Sequence, residues 1–269
     1  MKILHARNEE TDQALENTFV AIEGFDTELG RCQVTSHTYS TLLPERPHIL
    51  DIDVQGAPET LDALYGAGTA YARLLAARSG LNAQIRIQCD DALRDRLNPL
   101  GYRETAAVVR LHRAHKSAPM TRRTPDKCTV VFDKLDDEYE ARYFVQRYNT
   151  VFSTDAGMDY LKTLREKDRF SRIVMVSPVG LAGEMLTWVE DGVGVIGYLY
   201  TAPDFRRRGV AACLLDLSRK YFMEAGIDSS RMDVWTQLYA AYCTASHAGF
   251  RPIETLKRYV TIEIDREDW

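Results

Sequence analysis

Residues 206–211, Arg-Arg-Arg-Gly-Val-Ala, sit between an apolar stretch ending Tyr-Leu-Tyr-Thr-Ala-Pro and a run with helical spacing. The stretch from Val193 to Thr201 holds Val195, Ile196, Tyr198, Leu199 and Tyr200, and reads as a buried strand that Pro203 stops. Val210, Leu214, Leu217 and Tyr221, widened by Leu215 and Phe222, then mark one helix face up to a stop at Gly226. A strand that feeds a glycine turn and then a helix aims the helix's first unpaired N–H groups past the strand end. Gly209 permits close backbone approach, small Ala211 a tight helix start, and Arg206, Arg207 and Arg208 add charge. Such a turn suits an anion of the pyrophosphate kind.

The rest of the composition narrows the partners. Asp+Glu total 39 against Lys+Arg 34, an acidic balance that disfavours a nucleic-acid partner. The most apolar region, Ile173 to Ala202, contains Pro178, Glu184, Glu190 and Asp191, so it reads as hairpin strands and not as a membrane span. The start of the chain becomes charged too soon for a secretory signal. Cys32, Cys89, Cys128, Cys213 and Cys243 are scattered, odd in number and without Cys-x-x-Cys spacing, which points to a reducing cytoplasm and no structural zinc. Cys213 reads as a small buried residue, or as a thiol activated by the helix start. No nucleophile elbow, Cys/His pair or His cluster suggests hydrolytic or metal chemistry.

The first half repeats the order of elements. His48 to Val54 reads as a strand, Leu61, Leu64, Tyr71 and Leu75 as a helix ending at Gly80, Gln84 to Gln88 as a strand, and Asp91 to Leu97 as a short helix before Gly101-Tyr102-Arg103. Gly249-Phe250-Arg251 stands at the matching place, and 46 positions separate both Gln55 from Gly101 and Pro203 from Gly249. This is the pattern of a diverged duplication. The first-half turn, Gln55 to Thr60, has no arginine and carries Glu59, which repels an anion. Residues 114–126, with Pro119 and Pro125 and no apolar period, read as a linker whose Lys116, Arg122 and Arg123 are solvated charges.

Residues 128–269 resemble the GNAT superfamily of acyl-CoA-dependent N-acetyltransferases. Arg206, Gly209 and Ala211 match its Gln/Arg-x-x-Gly-x-Gly/Ala signature. A strand pair, Gly183 to Glu190 and Val193 to Thr201, joined at Asp191-Gly192, a strand Met232 to Thr236, a helix Leu238 to Ala248 and Gly249-Phe250 continue the likeness. The resemblance implies an α/β (α+β) fold of two tandem GNAT-like domains, each a mixed, mostly antiparallel sheet flanked by helices. Residues 1–113 would form a degenerate domain without the pyrophosphate motif, and 127–269 the N-acetyltransferase domain.

It also implies acetyl-CoA as cosubstrate, with no metal. The contacts would be Leu199, Tyr200 and Thr201 on the strand, Arg206, Arg207, Arg208, Gly209, Val210 and Ala211 on the turn, and Leu238 at the next helix start. The acetyl group would pass directly to a primary amine. The family's usual thiolate-protonating tyrosine falls on Ala245, which leaves Tyr242, one turn earlier, or Tyr239. The glutamate that some relatives use as base falls on Val195, which leaves Glu184, Tyr198 or Asp191. Their other readings are a strand-surface charge, a core tyrosine and a turn former. His247 is a helix-end histidine or a catalytic one. These two missing residues motivate a different class, a non-catalytic acyl-CoA-binding or interaction module.

Overall fold

The computed structural model describes residues 1–8, 13–24, 27–116 and 123–268. The chain divides into two compact units. One is Met1–Ala106 with Val151–Ser153 and Lys257–Trp269; the other is Ala107–Thr150 with Thr154–Leu256.

The first unit runs β1 (Lys2–Arg7), β2 (Ala14–Glu23), β3 (Thr27–Thr38), β4 (His48–Gly56), α1 (Leu61–Ser79), β5 (Ala83–Cys89), α2 (Asp91–Leu97) and the start of β6 (Arg103–Ala114). Neighbours β1 to β4 pair antiparallel, and β4 pairs parallel with β5. Leu64, Tyr65, Ala72 and Ala76 of α1 pack on Leu50, Ile52, Ile85 and Ile87, the alternate inward residues of β4 and β5. Gly80, at φ +63, ends α1 in the left-handed cap that its sequence position suggests.

The second unit runs β7 (Thr129–Asp133), α3 (Glu138–Phe152), α4 (Met158–Arg165), β8 (Ser171–Ser177), β9 (Gly180–Glu190), β10 (Val193–Thr201), α5 (Val210–Glu224), β11 (Ser229–Trp235), α6 (Tyr239–His247) and the start of β12 (Arg251–Ile264). Here too the parallel pair, β10 with β11, flanks the main helix. The helix starting signal at Thr154 is not used. Asn149 binds both the N–H (2.8 Å) and C=O (3.0 Å) of Ala156 through its side chain, and α4 begins after Gly157.

The expected partition into 1–113, a linker 114–126 and 127–269 needs correcting at both ends. In β6, Val108–Ala114 pair antiparallel with β11, whereas the last part of β12, Arg258–Ile264, pairs antiparallel with β5. Each unit therefore takes its closing strand from the other half of the sequence. The linker begins later than expected, because β6 runs through Ala114 and His115 is buried. Its ring nitrogens lie 2.9 Å from the Ile227 carbonyl and 3.0 Å from Ser230 Oγ. Burial lowers its pKa. Residues 117–122, which include Arg122, lie outside the described residues.

The duplication is visible in matched detail. Gly101 and Gly249 adopt φ +92 and +93, and the Tyr102 and Phe250 that follow are fully buried. Arg103 Nη1 donates to the Asn98 (2.9 Å) and Tyr102 (2.8 Å) carbonyls, and Arg251 Nη1 to those of Ser246 and Phe250, both at 2.8 Å. In both units a guanidinium thus caps the helix end that precedes the closing strand. The halves differ after their first strands. The second has α3 and α4 there, whereas Asn8 donates directly to the Gln13 carbonyl at 2.8 Å in the first.

Candidate active site

The site begins with a fault in the sheet. β10 pairs with β11 only from Gly194 to Ile196, opposite Ser230 to Met232. Its register with β9 shifts between Ile196 and Tyr198, which makes Gly197 a bulge. Trp188 of β9 lies across this point, and a Cβ on Gly197 would stand 1.9 Å from the indole, so only glycine fits. Beyond the bulge, Tyr198 to Thr201 stay with β9 while Val234 and Trp235 stay with β6. The parallel strands part there, and among the described residues that flank of β10 has no strand partner. The four steps of strand from Gly197 to Thr201 give a slot about 13 Å long.

The basic turn stands at the end of this slot. Pro203–Phe205 form one 3-10 turn, Arg207 takes φ +63, and Gly209 takes φ +81 as the residue before α5. The Gly209 carbonyl accepts the Cys213 N–H at 2.9 Å, so the N–H groups of Val210, Ala211 and Ala212 precede the first bond of the helix. Nothing lies within 4 Å of a Cβ built on Gly209, so the turn opens outward as an anion cradle must. Arg206, Arg207, Arg208 and Gly209 are exposed, while Val210 is buried and anchors the helix start. Arg208 is steadied over the Phe205 ring at 5.6 Å. The residues expected to hold a pyrophosphate and a pantetheine arm follow one another from the end of β10, Leu199–Thr201, to the turn and helix start at Arg206–Ala211. Leu238 donates its N–H to the Trp235 carbonyl at 3.0 Å, at the end of the diverging β11. Cys213 is buried and its pKa is raised by desolvation, so the helix start does not activate it.

The base candidates fare differently. Glu184 and Tyr198 do meet, but in the core. The Glu184 carboxylate is fully buried, accepts from Arg147 Nε at 2.6 Å and from the Tyr198 hydroxyl at 3.2 Å, and has Arg172 at 3.8 Å. It is neither a strand-surface charge nor exposed to an acceptor. Tyr198 packs edge-on to Phe144 with centroids 5.3 Å apart, and burial followed by the Glu184 charge pushes its pKa up. This arrangement corrects the assignment of both residues as acid or base: the cluster braces β9 and β10 against α3. Asp191, at φ +52, is the turn former between those strands. Tyr242 is half-buried in α6 and donates its N–H to the Leu238 carbonyl at 3.0 Å. Ala245 is fully buried, which explains why no tyrosine stands there. Tyr239 and His247 are exposed, and His247 Nδ1 lies 2.7 Å from the Cys243 carbonyl.

One group of residues was missed by the sequence reading. A cavity of about 230 Å³ opens where the strands part, with Trp188, Glu190, Gly197, Arg231, Asp233 and Arg110 among its walls. It lies on the sheet face opposite α5, because Met232 and Val234, which alternate with Arg231 and Asp233, pack with α5 residues. Arg110 grips Asp233 through two bonds, 2.9 and 3.1 Å. Arg231 pairs with Glu190, which also has Lys167 at 3.3 Å; Lys167 foremost, then Arg231, holds the Glu190 carboxyl below its ordinary range. The signal was available as charged residues at alternate positions of otherwise apolar strands.

Residues 130–245 match the sequence model of the acetyltransferase (GNAT) family. Solved structures share the fold over nearly the whole chain. A GCN5-related N-acetyltransferase from Sphaerobacter thermophilus is 15% identical, with 95% of this chain and 84% of that chain covered and a TM-score of 0.53. A conserved protein of unknown function and probable N-acyltransferase from Enterococcus faecalis V583 is 12% identical, with 92% and 62% covered and a TM-score of 0.56. A GCN5-related N-acetyltransferase from Anabaena variabilis is 10% identical, with 91% and 62% covered and a TM-score of 0.53. No curated protein matches the chain. Among the described residues no helix is long and apolar enough to cross a membrane, and no cluster of three His, Cys, Asp or Glu is placed to hold a metal.

Proposed function

We propose that the chain is an acetyl-CoA-dependent N-acetyltransferase that acts on a primary amine, with CoA held by the second unit alone. The observation that carries this is the parting of β10 from β11 at Gly197, in line with the outward-facing start of α5. The Val210–Ala212 N–H groups and Arg206–Arg208 bind the pyrophosphate, and the β10 backbone at Leu199–Thr201 bonds the pantetheine amides. Bound there, acetyl-CoA supplies an acyl carbon activated as a thioester. The β10 backbone N–H groups at Leu199 and Tyr200 orient that carbonyl and stabilise the negative charge on its oxygen. The amine lone pair forms the C–N bond, the C–S bond breaks with its electron pair on sulfur, the amine proton leaves to water, and the thiolate takes a proton. Tyr242 is the candidate for this last donor.

The first unit serves as support. Its corresponding turn carries Glu59, with Asp62 in the first turn of α1. The five free cysteines suit a reducing compartment, and we place the protein in the cytoplasm on that ground.

The buried Ala245 and the Arg147-bound Glu184 favour a second reading, an acyl-CoA-binding module without catalysis. The experiment is free-thiol detection with acetyl-CoA and a panel of amines, including amino acids and peptides. Amine-dependent CoA release supports the enzyme; acetyl-CoA binding without release across the panel supports the module.

A further inference from the structure

We infer that the acceptor is a small zwitterion, an α-amine carrying a carboxylate one carbon away. This rests on the acyl-transfer reading and deepens it.

The cavity beside Gly197 has walls of both signs. Asp233 follows Met232, the last β11 residue paired with β10, so its carboxylate stands where the slot opens. Arg110, its register partner on β6, holds it from the outer side. Deeper along the still-paired strands, Arg231 and Glu190 meet. They are not register partners: Arg231 opposes Val195, and Glu190 opposes Val193. The two side chains reach across β10 above Val195 to close that end of the cavity. Each pair is backed by a further charge on its rim, Glu254 at 3.5 Å from Arg110 and Lys167 at 3.3 Å from Glu190.

The pattern is selective by charge. A polyamine would meet Arg110 and Arg231, a dianion would meet Asp233 and Glu190, and an apolar amine would desolvate both pairs without replacing their bonds. An α-amino carboxylate matches both walls, with its nitrogen beside Asp233 at the slot and its carboxylate on the Arg231 guanidinium. The cavity of about 230 Å³ admits an amino acid and leaves no room for a folded partner. Trp188, braced on Gly197, forms the wall for the substrate's side chain. The transfer is the one given above, and its product keeps the carboxylate.

The test compares alanine, alaninamide and ethylamine as acceptors for the full chain at saturating acetyl-CoA, with released thiol as the readout. Alanine is expected to exceed each of the others at least tenfold in kcat/KM. Arg231→Met should bring alanine and alaninamide within twofold of one another while the acetyl-CoA Kd stays unchanged; Arg231→Lys should keep part of the preference. Equal rates for the three acceptors, or an unchanged ratio in Arg231→Met, would overturn the inference. A parallel titration of alanine and alaninamide without CoA, followed by the Trp188 indole N–H resonance and assigned with Trp188→Phe, reads the cavity independently of turnover. Alanine-selective shifts with no acetyl-CoA binding would sink the acyl-transfer reading and keep the zwitterion site. Shifts for neither compound, or equal shifts for both, would remove the site itself.

Discussion

At Gly209 the backbone turns through φ +81 with open space where a side chain would project, and the proposed pyrophosphate would occupy that space. Gly209→Glu should raise the acetyl-CoA Kd by more than a hundredfold, through backbone strain and like-charge repulsion, whereas Gly209→Asn, which tolerates the left-handed region, should stay within about tenfold. Calorimetric titration of both variants checks this. Gly56 is a poor control, because a Cβ there would stand 2.5 Å from Gly30 Cα and disturb the first unit; Glu59→Gln, on an exposed residue, should leave binding unchanged. Glu184→Gln separates bracing from catalysis. Loss of the carboxylate leaves Arg147 without its partner and should lower stability by about 3 kcal/mol in denaturant unfolding, with the pH profile of the reaction unchanged. That profile should itself be simple. Glu190, the cavity carboxylate whose pKa is lowered, is ionised across the neutral range, so it gains no proton there, and the stability of its ion pairs is lost only as pH falls through the lowered value. kcat/KM should then rise about tenfold per pH unit up to the acceptor amine's own pKa. A plateau near pH 7 would instead reveal a base on the protein.

The closing strands make the element-scale prediction. Val260 belongs to the C-terminal half of the sequence but is fully buried in the core of the first unit, and Leu111 of the first half is buried in the core of the second. Val260→Ala, worth about 2 kcal/mol, should release hydrogen-exchange protection in Ala83–Cys89 before Ser229–Trp235, and Leu111→Ala should do the reverse. Local pattern had no means of announcing this exchange, since a strand's partner is a long-range choice. What local pattern could announce, it did. β10 spans the residues read from its apolar run, α2 spans Asp91–Leu97, and the turn before α5 carries its glycine in the left-handed conformation. The strands before His48 were not read at all, because β3, with Arg31, Gln33 and Thr35 outward, hides a buried Cys32 and Val34 within a polar run. The charged cavity was missed for a related reason: its walls come from β6, β9, β10 and β11, and they meet only in the folded sheet.

At the scale of the molecule, two units of one design differ where ligand chemistry would act. Both have a main helix after the inner parallel strand and an arginine-capped closing turn, yet one start of that helix carries glutamate and the other arginines. The account stands on a single CoA site in a chain that contains the fold twice. Its most direct test is isothermal titration of the purified protein with acetyl-CoA, read for stoichiometry. One site per chain is the predicted result, lost in Gly209→Glu; two sites would contradict it by showing that the first unit binds as well, and no binding would reduce the cradle to a solvated basic turn.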